Sequence, residues 1–393
     1  VSSTIDKEEY KITMPKILLI DDEANHGWKE ILEKVFFDGQ EITAATTKDE
    51  AVECLNQDLY ELIFLDLRFG EGDHNLSELK NFQGYQLLSW EIRGSFEHPN
   101  FATPVILFTA SNKIWNIHGM LEAGADDFYI KEHPDQADDK DFSMQNFNRL
   151  KSQISELPKL GSRRNIVLAK IKAILNLIPK EISHSNIRER IMEKLKIGYT
   201  TLFHRHSNFE NEKFAFSQEV MAYICFWSIL EEVVKDGFQD KWIKTGFQEG
   251  AMTGGNWTLK NGKKFIERST TIVSGKSTAM LEVQITLQKG RYKKVRRQMK
   301  PTDQSFNYYD NKVLLSLQVI ALLMLGKGWS EQAANDTFNE LNSFRNRVDF
   351  IHSSVESIFT KPLSSKKDKE EAERYCIKML DFIEQVIASP WLP

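Results

Sequence analysis

The chain has 393 residues, 41% hydrophobic and 27% charged, with a formal net charge of −5; this exceeds one typical domain and leads us to expect two. No apolar run is long enough to span a bilayer and no secretory leader is legible, so a cytoplasmic protein with no membrane contact is expected. Cys54, Cys225 and Cys376 are too far apart for a disulfide framework or a cysteine metal site and read as buried thiols in a reducing compartment.

Taken in chain order, the first strong signal is the apolar run Lys16-Ile-Leu-Leu-Ile20, which ends in the acid pair Asp21 and Asp22. A second run, Glu61-Leu-Ile-Phe-Leu65, ends in Asp66. Two parallel strands lying side by side would bring all three carboxylates to the C-terminal edge of one sheet, where open α/β sheets place their sites. Like charges gathered in this way are costly unless a cation joins them, and hard oxygen ligands with room for water suit Mg²⁺. Thr103-Pro-Val-Ile-Leu-Phe-Thr109-Ala then reads as a strand ending in a hydroxyl, and Gly124-Ala-Asp-Asp-Phe-Tyr-Ile-Lys131 as one ending in a cation.

Acid pair, lone Asp, Thr and Lys, in that order and at these intervals, resemble the receiver domain of two-component response regulators. The resemblance spans residues 14–157 and implies a (βα)5 fold of the α/β class. It implies that Asp66 accepts a phosphoryl group from a sensor histidine kinase or phosphotransfer protein. Asp22 would bind Mg²⁺ directly and Asp21 largely through water, with the Arg68 backbone carbonyl as a further ligand. Thr109 and Lys131 would meet phosphoryl oxygens, and Phe128 matches the family's switch aromatic. The chemistry agrees, because a carboxylate attacking an anionic phosphoryl group needs nearby positive charge. The bland alternative is an ordinary Rossmann-like sheet with solvated acids at its strand ends.

Two departures stand out. The helix-opening Gly comes late, at Gly84, after a long loop carrying Glu71, Asp73 and Glu78 that reads either as a lid or docking surface or as a solvated insertion. Lys131 is followed by Glu132-His133 where the family usually has Pro. In addition, Arg68 places a bulky cation two residues after Asp66, either shielding the phosphoryl group from water or pointing outward.

Net charge divides the chain. Residues 1–157 hold 14 Lys and Arg against 30 Asp and Glu, a net of −16, whereas the remainder holds 37 against 26, a net of +11. An acidic half and a basic half suggest two jobs, with an anionic partner such as RNA for the second. The boundary is expected at Leu157-Pro-Lys-Leu-Gly-Ser-Arg-Arg164, where strand–helix alternation gives way to long helical periods. A helical linker is expected over 158–210 and a mainly α-helical effector domain over 211–393, with a β-hairpin insertion at about 262–300. Within it, Leu281, Val283, Ile285 and Leu287 alternate with polar residues as in a strand. Ser274-Gly-Lys-Ser-Thr278 is no P-loop, because Thr270 stands where the first Gly is required. The following segment, Lys289 to Lys300, holds seven cations and no acids. Arg291, Lys293, Lys294, Arg296 and Arg297 could track a phosphate backbone, with Tyr292 stacking on a base. The same segment reads equally as a charged edge that resists aggregation.

Leu341-Asn-Ser-Phe-Arg-Asn-Arg-Val-Asp-Phe-Ile-His352 sets Arg345 and His352 two helical turns apart on one face. This Arg-Asn…His pattern, together with Glu231 and Glu232 after an apolar helix, resembles the HEPN-domain ribonucleases, helical bundles that pair to form one cleft. The resemblance implies a homodimer whose Arg345, Asn346 and His352 form a metal-independent endoribonuclease centre, with no cofactor evident in the effector. Imidazole suits the base and guanidinium the developing phosphorane charge. An Arg and a His serving only as helix packing remain the plain alternative, and His204-Arg-His206 reads as a polar loop. The expected protein is thus a response regulator controlling a HEPN-like effector that cleaves RNA. The alternative is a phosphorylation-gated effector that binds nucleic acid or protein without catalysis.

Overall fold

Short apolar runs become strands here because a sheet covered on both faces is where they lose all contact with water. β1 (Ile17–Ile20), β3 (Leu62–Leu65) and β4 (Val105–Thr109) are buried at every residue. The structure, a computed structural model, describes residues 16–70, 77–110, 113–131, 140–178, 187–203, 218–239, 257–258, 264–274, 279–287, 290–298, 319, 323, 329–347 and 366–388. With β2 (Thr43–Ala45) and β5 (Asp127–Ile130) the three buried strands form a parallel five-stranded sheet of order β2-β1-β3-β4-β5. This is the flavodoxin-like doubly wound order, whose switch point opens a crevice at the C-terminal ends of β1 and β3.

The crossovers are helical. α1 (Trp28–Ile31) continues into a π-helical turn at Leu32–Phe36, and α2 (Lys48–Gln57) follows β2. α3 (Gln83–Gln86) continues into another π-helical turn at Leu87–Ile92, and α4 (Ile114–Glu122) precedes β5. α2 starts where it does because Thr47 and Glu50 form a capping box, each side chain taking the other's backbone N–H at 3.3 Å. Leu18, Ile20, Ile63, Leu65 and Leu107 pack with Leu55, Leu87, Leu88 and Met120 in one core cluster. Among the aromatics, Phe108 lies 5.0 Å from Trp28, 5.6 Å from Phe64 and 5.2 Å from Tyr129. Each such buried side chain contributes about 1.5–3 kcal/mol.

α5 (Lys140–Leu177) runs unbroken through Pro158, Gly161 and Ser162, the residues that marked a boundary in the sequence. Its Gly161 is tightly seated, since a Cβ there would lie 2.7 Å from Pro104 Cδ. α6 is Ile187–Phe203. The chain divides into two compact units, one of residues 1–173 with 199–218 and the other of 174–198 with 219–393. The stretch expected as a helical linker is therefore shared between them.

In the second unit, α7 (Gln218–Gln239), α8 (Glu331–Arg347) and α9 (Lys366–Ile387) bury an aromatic core. Phe344 stacks on Tyr375 at 4.1 Å, and the Tyr223 hydroxyl donates to the Leu341 carbonyl at 2.7 Å. α8 runs through Asn342 without a break. Among the described residues the β region has four strands, of which the expected hairpin is part. β6 (Trp257–Thr258), β7 (Lys264–Ser274), β8 (Ala279–Leu287) and β9 (Gly290–Gln298) pair antiparallel in chain order. The basic segment is thus largely a strand, and it forms an edge of the sheet. No helix of the described residues is long and apolar enough to cross a membrane.

Candidate functional site

Strand register builds the site. Ile20 is level with Leu65, so the next residues, Asp21 and Asp66, emerge side by side. The Asp66 N–H donates to the Ile20 carbonyl at 2.8 Å and the Asp21 N–H to the Ala45 carbonyl at 3.0 Å, fixing both backbones. Oxygens of Asp21, Asp22 and Asp66 all lie within 4.8 Å of one another, with Asp21 and Asp66 buried and Asp22 exposed. Lys131 arrives from the end of β5, its N–H held by the Thr109 carbonyl at 2.8 Å. Its ammonium reaches Asp66 Oδ2 at 2.8 Å and also pairs with Asp21 Oδ2. Thr109 is buried at the end of β4 beside it.

Among the described residues three carboxylates gather around one ammonium, and burial makes the imbalance felt. Burial pushes the Asp21 carboxyl up to about 6, with Lys131 opposing and Asp66 adding to the rise. Burial raises Asp66 too, against the pull of Lys131. For Lys131 burial works to lower the value, but Asp66 and Asp21 outweigh it and hold the ammonium above its ordinary range. An all-oxygen donor set with excess negative charge and one solvent-facing carboxylate fits a hard divalent cation such as Mg²⁺.

The surrounding residues explain the departures seen in the sequence. Gly84 lies against the backbone after the acid, since a Cβ there would stand 2.2 Å from the Asp66 carbonyl oxygen. Its N–H donates to the Leu67 carbonyl at 3.2 Å, so the late glycine does open α3 against the site. The Arg68 guanidinium is turned onto the Phe82 ring, 4.4 Å from its centre, while its N–H approaches Asp66 Oδ1 at 3.4 Å. Phe128 on β5 is covered by Arg149 at 4.1 Å. Glu71, Asp73, Glu132 and His133 lie outside the described residues; Glu78 precedes a short 3-10 turn, Leu79–Asn81, without capping it through its side chain.

The second set of candidates is only partly described. Arg345 on α8 lies 5.0 Å from the Trp227 ring and 3.9 Å from Glu231 Oε1, and the Trp227 indole N–H donates to the same Glu231 oxygen at 3.3 Å. Glu232 instead pairs with Arg190 and Lys194 at 2.6 and 2.7 Å, and these cations hold its carboxyl below the ordinary range against the effect of burial. Asn346 lies in α8, with its side chain outside the described residues, and His352 is itself outside them, as are His204 and His206. On β9, Lys293 and Arg297 are opposite Ile285 and Leu281, whereas Lys294 and Arg296 are opposite Gln284 and Glu282. Tyr292 falls at a register shift next to Arg291.

One charged cluster had no counterpart in the sequence reading. Asp126, just before β5, is buried between Arg93 and Arg164. The only local signal was the Gly-Ala-Asp-Asp sequence itself, and its partners lie 33 and 38 residues away.

No protein-family model and no curated protein matches this chain. Among solved structures, the chain is similar to the receiver domain of the Francisella response regulator 1452, at 23% identity over 37% of this chain and 97% of that one, with a TM-score of 0.26. A response regulator receiver domain protein (CheY-like) from Methanospirillum hungatei JF-1 gives 21% identity over 37% and 98% of the two chains, with a TM-score of 0.27. A response regulator protein from Burkholderia pseudomallei, determined with a phosphorylated aspartic acid and a calcium ion, gives 20% identity over 35% and 74%, with a TM-score of 0.24.

Proposed function

We propose that the first unit is a phosphoacceptor receiver that takes a phosphoryl group on Asp66 and thereby controls the second unit. The observation carrying this reading is the convergence of Asp21, Asp22, Asp66, Thr109 and Lys131 at one edge of a sheet ordered β2-β1-β3-β4-β5. An Asp66 carboxylate oxygen attacks phosphorus, a new O–P bond forms, and the bond to the donor's nitrogen or oxygen breaks, the leaving group taking a proton. The phosphodonor of this reading is a sensor histidine kinase or phosphotransfer protein. Mg²⁺, held by Asp21, Asp22, Asp66 and the Arg68 carbonyl, would supply positive charge against the phosphoryl oxygens. Lys131, already on Asp66, exchanges its carboxylate partner for a phosphoryl oxygen, and the Thr109 hydroxyl donates to another. Phe128, on the same strand as Lys131, is the aromatic whose position answers the change.

The test is labelling by acetyl phosphate with Mg²⁺, read by intact mass and by hydroxylamine sensitivity. Wild type should gain one phosphoryl group, Asp66→Asn none. Asp22→Ala should weaken the Mg²⁺ requirement's saturation, and Lys131→Ala should still bind metal. Hydroxylamine-resistant labelling of Asp66→Asn would reject the assignment.

For the second unit we propose a HEPN-like effector acting as a homodimer on RNA, with His352 as base and Arg345 and Asn346 stabilising charge. The approach of Glu231 to Arg345 supports it, since that contact joins the two segments carrying the resemblance. The noncatalytic alternative, nucleic-acid binding along β9, is favoured by the run of cations on a strand that stands last in the described sheet order. His352→Ala removes cleavage in the first reading, and EDTA spares it once the receiver is loaded. Neutralising Lys293, Lys294, Arg296 and Arg297 lowers the salt dependence of binding in both, by roughly 0.7 in slope per lost contact.

A further inference from the structure

Asp126 stands at the root of β5, at the sheet edge opposite Asp66, and is 6% exposed. Arg164 of α5 grips it with both arms of its guanidinium, Nη2 to Oδ1 at 2.5 Å and Nη1 to Oδ2 at 3.0 Å. Arg93 Nη2 reaches Oδ2 at 3.4 Å, and the Val105 N–H donates to that oxygen at 2.9 Å. Arg164 Nη2 also donates to the carbonyl of Phe203, the last residue of α6, at 3.0 Å. One guanidinium therefore ties the start of β5 to the end of α6. Tyr199, one turn earlier on α6, packs 5.3 Å from Phe101 and 5.8 Å from Phe96 in the same region.

The cluster holds these elements together, since Arg93 also donates to the carbonyls of Gly124, Asn100, Phe101 and Thr103, but stabilisation does not explain why charge was used for it. A buried ion pair is generally no better than apolar packing of the same volume, and here two guanidiniums share one carboxylate. Arg164 Nε and the Tyr199 hydroxyl are also buried with no protein hydrogen-bond partner among the described residues. The strand it grips is one of the two edge strands of the sheet and the one that leads to Lys131. Among the described residues β5 is paired on one side only, by β4. Four residues separate Asp126 from Lys131, whose ammonium rests on Asp66. Whatever draws Lys131 off the Asp66 carboxylate pulls on one end of a short, nearly inextensible strand, and Asp126 is fastened to the other end.

We propose that the Arg164–Asp126 pair is a latch that carries the phosphorylation state of Asp66 along β5 to the end of α6. This rests on the reading of Asp66 as the phosphoacceptor. When Lys131 turns to a phosphoryl oxygen, β5 shifts, the guanidinium follows Asp126, and its bond to the Phe203 carbonyl is given up. The last turn of α6 is then released.

The experiment uses the full chain with acetyl phosphate and Mg²⁺, reading Asp66 loading by intact mass and amide hydrogen exchange over residues 187–203. Loading of wild type should speed exchange at the end of α6 by roughly fivefold or more, the lower end of ordinary allosteric couplings. Arg164→Gln should load like wild type, exchange fast there from the start, and show no further change. Arg164→Lys keeps a cation beside Asp126 without the planar fork and guards against loss of fold; it should load normally and show a diminished response. A loaded wild type with unchanged exchange at residues 199–203 overturns the latch, as does a full wild-type response in either variant. A wild type that gains no mass overturns the Asp66 reading and the latch with it, and is told apart by the mass measurement alone.

Discussion

Two buried acid clusters occupy opposite edges of the same sheet, and their carboxylates respond in opposite directions. At the C-terminal edge, Asp21 and Asp66 share one ammonium, burial wins, and both carboxyls are raised. At the N-terminal edge, Asp126 is buried as deeply, yet Arg164 and Arg93 overcome burial and lower its carboxyl. Depth is common to both; the count of facing charges differs. A pocket short of positive charge is prepared to accept a cation, while a carboxylate enclosed by two guanidiniums is already satisfied and serves to hold elements together. Arg93 shows the converse strain, its guanidinium brought down to about 10 by burial despite Asp126.

The largest effect expected from breaking this contrast is at the satisfied edge. Asp126→Ala leaves two buried guanidiniums facing each other and should destabilise the protein by about 3–5 kcal/mol in denaturant unfolding. The pH dependence has a definite sign. A depressed carboxyl contributes fully above its unfolded value of about 3.9, and the contribution is lost as the pH falls through the lower value held in the fold. Wild type should therefore lose stability in that acid range more steeply than Asp126→Asn.

The unsatisfied edge should behave in reverse, gaining from an added ion. Mg²⁺ at a hundredfold excess over its Kd should stabilise wild type by about 2.7 kcal/mol, and Asp22→Ala should remove most of that gain in the same unfolding titration. A next step down tests the backbone that frames this pocket. Gly84→Ala forces a methyl toward the Asp66 carbonyl and should cost about 1–3 kcal/mol, with slower Asp66 labelling. Smallest is Arg68→Ala, which deletes a contact with Phe82 worth about 0.5–1 kcal/mol. Labelling and phosphoryl lifetime should be unchanged, because the guanidinium lies on the ring; a shortened lifetime would return Arg68 to the role of a water shield.

These clusters also mark what can be read from sequence. Ile17–Ile20 and Leu62–Leu65 announce themselves because a strand covered on both faces is an uninterrupted apolar run, and the acids that follow are fixed by strand register alone. Gly84 is legible as the start of α3 for a similarly local reason. Asp126 and Arg164 leave no such trace, as a pair 38 residues apart has no period. Pro158, Gly161 and Ser162 carry the punctuation of a loop, yet the contact of Gly161 with Pro104 keeps them inside α5. In the β region, alternation along Leu281 to Leu287 marks β8, but the run of cations after it obscures the strand propensity of β9.

The unbroken course of α5 has a consequence for modular exchange. A fragment ending at residue 157 would carry Asp126 without Arg164 and would uncover Phe96 and Phe101, which pack against Tyr199. Such a fragment should be aggregation-prone, and a chimaera joined there should fail for want of a native seam. Any cut that keeps the sheet intact has to keep Arg164 of α5 and the end of α6 at Phe203 as well, so the first unit is exchanged as a piece of about two hundred residues rather than the usual size of a small domain.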